Sequence, residues 1–270
     1  MANVILYTAN AIAQSGVVIK NGTGGGAPAL DENADWPMSH LLSPDRETYW
    51  RMSDAPPSPL YVDFDLGSAL SIRAGGLLKM RVYGGGAASL MGCQYIAGAG
   101  AYDPDPAAWS TAFGNTGLSA NNALLDFGPF TARYWRFHVD APNDPFSGKL
   151  WLVKDADRID LGHDWSVGTE EEIERLRQEV ISPAGMAFAF EPAQNRGSAV
   201  RGGTFLLRGQ NEATRDTLRD KLTSLDTRFV VKLGDGGVIE TSLDEGVFRW
   251  GRTWSAPETF DFELTLTEHP

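Results

Sequence analysis

The side chains from which a reactive centre would be drawn are few: four histidines, one cysteine and a scatter of carboxylates. His40, His138, His163 and His269 show neither an HExxH nor an HxH spacing, so no pair of imidazoles is set to hold a metal. His138 sits in a strand-like run and points away from Trp135, Phe137 and Val139. His163 stands beside Asp164, but neighbours on an extended chain face opposite sides. No GxSxG elbow is present, and a lone Cys93 makes no obvious Cys–His pair. The run Gly22–Gly26 lacks the Gly-Lys-Ser/Thr ending of a phosphate loop and reads as a spacer. A glycosidase needs two carboxylates held across the scissile bond, and none of the 35 acidic residues forms an evident pair. The expectation is a protein that binds rather than one that catalyses, with no catalytic residue and no cofactor.

Binding chemistry is better supplied. Trp36, Tyr49, Tyr102 and Trp109 fall in apparent loops, where an aromatic face can stack on a sugar ring or anchor a neighbouring protein. Asp31-Glu-Asn-Ala-Asp35, and Asp45 with Thr48, offer oxygens of the kind calcium prefers. They have no EF-hand spacing, so a solvated loop without metal is expected. Arg201, Arg208, Arg215, Arg219, Arg228, Arg249 and Arg252 concentrate in the C-terminal part of an acidic chain. On polar strand faces they would make ion pairs between subunits; Arg201, Arg208, Arg228, Arg249 and Arg252 are the interface candidates.

The elements that must position these residues follow from composition and pattern. The chain has 270 residues, net charge −12 and a 42% hydrophobic content, enough for two cored domains. The acidic balance argues against general binding to nucleic-acid phosphate, and nothing reads bases in sequence. Thirty glycines and fifteen prolines mark many turns. One cysteine excludes an intrachain disulfide and fits folding in a reducing cytoplasm. The start of the chain lacks the basic and apolar regions of a signal peptide, and no run is long and apolar enough to insert in a membrane.

Residues 1–155 read as short strands between turns, a β-sandwich: Val4 and Leu6 open it, then Tyr61–Gly67, Leu77–Tyr83, Gln94–Ala97 and Ala132–Val139. Asp155–Arg158 is a charged bridge. Beyond it, residues 157–270 read as α+β. Thr169-Glu-Glu-Glu172 has the form of a capping box, with Ile173, Leu176 and Val180 at helical spacing before Pro183. Strands are expected at 203–208, 228–233, 238–243 and 259–267, with a hairpin turn at 234–237, and a helix from Asn211 with Leu218, Leu222 and Leu225 on one face.

The order His40–Arg51, then Tyr61-Val-Asp-Phe-Asp-Leu-Gly67, then Ala132-Arg-Tyr-Trp-Arg-Phe-His-Val139, resembles the discoidin-like (galactose-binding-like) jelly-roll module. The resemblance implies core roles for Trp50 and Trp135 and a surface-binding function; the usual disulfide between the module's ends is missing here. The C-terminal order of strand, helix, strand, hairpin and long terminal hairpin is similar to the belt domain of distal tail proteins of long-tailed bacteriophages. That resemblance implies a hexameric ring at the end of a phage tail, joining the tail tube to the tip or hub, with tail tube, hub and tape measure proteins as partners. The protein would be made in the host cytoplasm and built into the virion. Many distal tail proteins place the belt first, so the order here is reversed. The expected function is that of a structural virion protein; the alternative is a carbohydrate-binding module recognising a cell-surface glycan.

Overall fold

The computed structural model describes residues 3–22, 27–43, 48–82, 90–117, 123–140, 146–162, 170–175, 178–181, 187–190, 199–223, 228–232, 238–253 and 256–268. Described strands outnumber the single α-helix sixteen to one, so the protein is mainly β. The chain divides into two units, Ala9–Arg158 and a second formed by Met1–Thr8 with Ile159–Pro270. The first strand, β1 (Ile5–Tyr7), therefore belongs to the C-terminal unit, not to the N-terminal one in which the sequence reading placed it. Its three residues are all buried, as suits a strand covered on both faces.

The unit Ala9–Arg158 holds β2 (Val18–Ile19), β3 (Trp50–Arg51), β4 (Leu60–Val82), β5 (Leu90–Ala97), β6 (Ser110–Gly117), β7 (Ala123–Asp140) and β8 (Phe146–Lys154). The strand order is β3-β8-β4-β7-β5-β6, with β2 on β4, and every pairing is antiparallel. Two stretches read as separate strands, 61–67 and 77–83, share the single long β4, which is described to Val82; Tyr83 lies outside the described residues. Its register to β7 slips between Asp65 and Leu70. Gly67 sits there at φ 77°, with its N–H donating to Asp65 Oδ1 at 2.9 Å, a local turn that a Cβ would strain. β4 pairs with β7 along residues 60–77 and with β8 along residues 72–82, giving a sandwich-like arrangement around one core. Val62, Phe64 and Leu66 of β4, Trp135, Phe137 and Val139 of β7, Met91 and Cys93 of β5, and Trp50 of β3 meet in that core. Period-two alternation then assigns Asp63 and Asp65, Arg136 and His138, and Gly92 and Gln94 to the opposite face.

The C-terminal unit continues with β9 (Arg158–Asp160), β10 (Glu170–Arg175), β11 (Gln178–Ile181), β12 (Ala187–Phe190), β13 (Ala199–Gln210), α1 (Glu212–Thr223), β14 (Arg228–Lys232), β15 (Val238–Thr253) and β16 (Ala256–Glu268). Its main sheet runs β10-β13-β16-β15-β14-β1-β9, and β11 and β12 form a separate hairpin. The helix α1 begins as read: Asn211 Oδ1 accepts the Thr214 N–H at 2.8 Å, and Leu218 is fully buried. The helix expected over 169–182 is corrected. Glu170–Arg175 is instead a strand paired residue for residue with Ala199–Thr204 of β13, and Gln178–Ile181 pairs with β12. The ladder supplied by β13 overrides a short and weakly apolar helical pattern. Residues 234–237 lie outside the described residues.

Candidate functional site

Trp36 and Tyr49 come together although thirteen positions separate them. Trp50 is the anchor: its side chain is buried and its indole N–H donates to the Asp31 carbonyl at 2.9 Å. Alternation at the start of β3 leaves the preceding Tyr49 half-buried. The loop 31–36 is laced to β3 by Asn33 N–H to Arg51 O (2.9 Å) and Arg51 N–H to Trp36 O (3.1 Å). Asn33 Oδ1 also accepts the Asp35 N–H at 3.1 Å, which closes the turn before Trp36. The two rings then stack with centroids 4.4 Å apart and planes 7° from parallel. His40 meets the Trp36 ring edge-on at 6.3 Å, and its Nδ1 lies 3.1 Å from the Tyr49 carbonyl oxygen. Glu32 holds the adjacent 3-10 turn (Met38–Leu42) by accepting the Met38 N–H at 2.6 Å. Two half-buried aromatic faces, backed by one another and bordered by His40, Asn33 and exposed Asp35, form a platform with polar groups at its rim.

Next to it lies the segment whose oxygens suggested calcium. Asp45 falls outside the described residues. The carbonyls of Ser43 and Thr48 are occupied by an ammonium: Lys149 Nζ donates to them at 2.7 and 3.4 Å, and Lys149 is only 4% exposed. Asp31 is buried, and Ser53 Oγ donates to its Oδ1. Burial raises the Asp31 carboxyl above the usual carboxylate range, against the lowering effect of the Ser53 hydrogen bonds. Among the described residues no cluster of three or more His, Cys, Asp or Glu is placed to hold a metal ion.

Tyr102 and Trp109 lie elsewhere, on the outer face of β4, β5 and β7. There Arg136 Nε and Nη2 meet Asp63 Oδ1 and Oδ2, each at 2.7 Å. The guanidinium lies 4.2 Å from the Trp109 ring and 4.6 Å from the Tyr61 ring. The Tyr102 hydroxyl donates to Asp63 Oδ2 at 2.8 Å, and burial followed by the Asp63 charge keeps that phenol protonated far above its ordinary range. The Trp109 indole N–H donates to Asp103 O at 2.8 Å, and Asp105 caps the 3-10 turn Pro106–Ala108. Trp109 is 7% exposed. Both aromatics therefore pin the 98–109 loop over an ion pair. Beside them, Asp65 takes Arg133 Nε and Nη2 at 2.7 and 2.9 Å; burial would raise its carboxyl, but these bonds and the Gly67 N–H hold it below the ordinary value.

The remaining candidates separate cleanly. Burial pushes the Cys93 thiol well up, as expected of a core hydrophobe. Burial lowers His138, so its ring is neutral near pH 7. Arg201, Arg208, Arg228, Arg249 and Arg252 lie on strands of the C-terminal sheet, Arg249 opposite Glu263 and Arg252 opposite Phe260, but their side chains are outside the described residues. Arg215 and Arg219 make local ion pairs on α1 with Glu212, Asp216 and Asp220. His163 and His269 also lie outside the described residues.

No family model matches the chain, and no curated protein matches it. Among solved structures, CpGH89CBM32-6 produced by Clostridium perfringens aligns with 54% of this chain and 99% of its own, at 13% identity and a TM-score of 0.38. Chitosan-binding module 1 from the chitosanase/glucanase of Paenibacillus sp. IK-5 aligns with 53% of this chain and 98% of its own, at 17% identity and 0.38. Module 2 of that enzyme, in complex with chitotriose, aligns over 53% and 98% at 18% identity and 0.40. The expected tail-tip identity gains no support from any of these comparisons.

Proposed function

We infer that the unit Ala9–Arg158 is a carbohydrate-binding module, and that a sugar ring stacks on the Trp36–Tyr49 platform with Asn33, Asp35 and His40 reaching its hydroxyls. The observation that carries this reading is the parallel stacking of two half-buried rings at 4.4 Å on loops tied to the sandwich. Such rings offer apolar area at little entropic cost, because neighbouring contacts already fix their orientation. Chitosan and fucose appear in the names of solved structures similar to this chain, and both belong in the first set of ligands to try. A glycan array probed with the full chain, and with Trp36→Ala, tests the reading: binding that the substitution removes supports it, and an empty array contradicts it.

A ring role for the C-terminal unit is kept as a second reading because of one observation. Its described seven-stranded sheet is open, ending on β10 and β9, and copies of the chain are one way to cover such edges. The finer proposal, a hexameric belt at a phage tail tip, rests on the order of its elements. Light scattering on the eluting full chain distinguishes a hexamer, which supports it, from a monomer at high concentration, which contradicts it.

A further inference from the structure

The outer face of the sandwich carries a row of partners across four strands: Thr111 on β6, Gln94 on β5, Arg136 on β7 and Asp63 on β4. Its exposure falls along the row, from exposed Thr111 through half-buried Gln94 to fully buried Arg136. A guanidinium has five N–H donors. Three are engaged: Nε and one Nη2 hydrogen with Asp63, and the other with Pro104 O at 3.2 Å. Nη1 is buried with no hydrogen-bond partner, and so is Oε1 of Gln94 on the adjacent strand. Side chains directly opposed on neighbouring strands have Cβ atoms about 5 Å apart. An unmet donor and an unmet acceptor thus belong to directly paired residues on the same face of the sheet, each costing about 1–3 kcal/mol while it stays so.

We propose that this pair is a second ligand subsite, which takes one hydroxyl group of a sugar entering from the Thr111 side. A hydroxyl accepts from one of the two Arg136 Nη1 hydrogens and donates to Gln94 Oε1 at once. An anion would satisfy the arginine only, and would meet the carbonyl end of Gln94 and the Asp63 carboxylate. The Arg136 guanidinium carbon already lies over the Trp109 and Tyr61 rings, and with the two Asp63 contacts this fixes the group before the ligand arrives. The choice of a sugar rests on the carbohydrate reading above, whereas the position of the subsite does not.

The test is side-chain NMR on the full chain titrated with N-acetylglucosamine, galactose and chitotriose, following the Arg136 Nε–H, the Gln94 amide and the Trp36 indole N–H. The expected result is movement of the Arg136 and Gln94 signals, with affinity at that site at least tenfold weaker in Gln94→Leu and Gln94→Ala. If the Trp36 indole responds but the Arg136 and Gln94 signals stay still, the subsite is wrong and the carbohydrate reading stands. If no signal responds to any of the three sugars, both fall. Unchanged affinity in the two Gln94 variants also overturns the subsite, because water or a turned Gln94 amide then fills the gap.

Discussion

Asp63 and Arg136 face one another across β4 and β7 with two 2.7 Å contacts, and their side chains are 0% and 1% exposed. Removing one partner from such a buried pair strands the other charge, while replacing both with apolar groups removes the desolvation cost as well. Asp63→Ala is therefore expected to destabilise the protein by about 3–5 kcal/mol. The double change Asp63→Leu with Arg136→Met should recover most of that loss. Urea denaturation of the two variants checks it; equal losses in both would mean that the pair's packing, not its charge, holds the 98–109 loop.

Lys149 gives a prediction about metal. Its ammonium already fills the position between the Ser43 and Thr48 carbonyls. Lys149→Met removes this buried donor from both carbonyls and should cost about 1–3 kcal/mol. EDTA should leave the melting temperature of the wild-type protein unchanged. A chelator-induced fall in Tm would show that a bound cation, and not the Lys149 ammonium, satisfies these carbonyls.

His138 gives a pH dependence. Burial holds its folded pKa below the unfolded value of about 6.5, against the opposing pull of Asp140 and with a minor push from Arg136. Between those two values the unfolded chain binds more protons, so stability rises with pH and is lost as pH falls through the window. The slope from this one group is at most about 1.4 kcal/mol per pH unit. His138→Gln should flatten the curve below pH 6.5 relative to wild type, measured as urea midpoints across pH; an identical curve contradicts the assignment.

The same imidazole lies over Gly92, where an added Cβ would sit 2.2 Å from its Cε1. Gly92→Ala must displace the ring and is expected to cost about 1–3 kcal/mol. A thermal melt unchanged by that substitution would show that the His138 ring moves aside freely.

The legible parts of the fold were those written in alternation. Val62-Asp-Phe-Asp-Leu66 and Trp135-Arg-Phe-His-Val139 announce strands with one apolar face, and both lie where expected. Trp50 and Trp135 are core residues as read. What alternation hides is the second buried face. Alternation assigns Asp63 and Arg136 to the face opposite that core, and the 98–109 loop, folded back over them, covers that side. The signal was present as opposite charges at matching positions on two strands, but without the register they could not be paired. Lys149 was missed for the same reason: its partners are backbone carbonyls about a hundred residues away, which no side-chain pattern marks. Glu170–Arg175 went wrong because a capping box is a local signal and the pairing with β13 is not. Of the four aromatics singled out, the loops bring together Trp36 with Tyr49 and Tyr102 with Trp109; the latter two pack over the ion pair.

The central claim is that Trp36 and Tyr49 form a sugar-stacking platform. Its most direct measurement is calorimetric titration of the full chain with the strongest ligand from a glycan array, repeated on Trp36→Ala and Tyr49→Ala. Truncating either ring removes apolar contact area, worth about 1.5–3 kcal/mol for a fully buried large side chain, so each should weaken binding about tenfold. Full-strength binding by both variants would contradict the account.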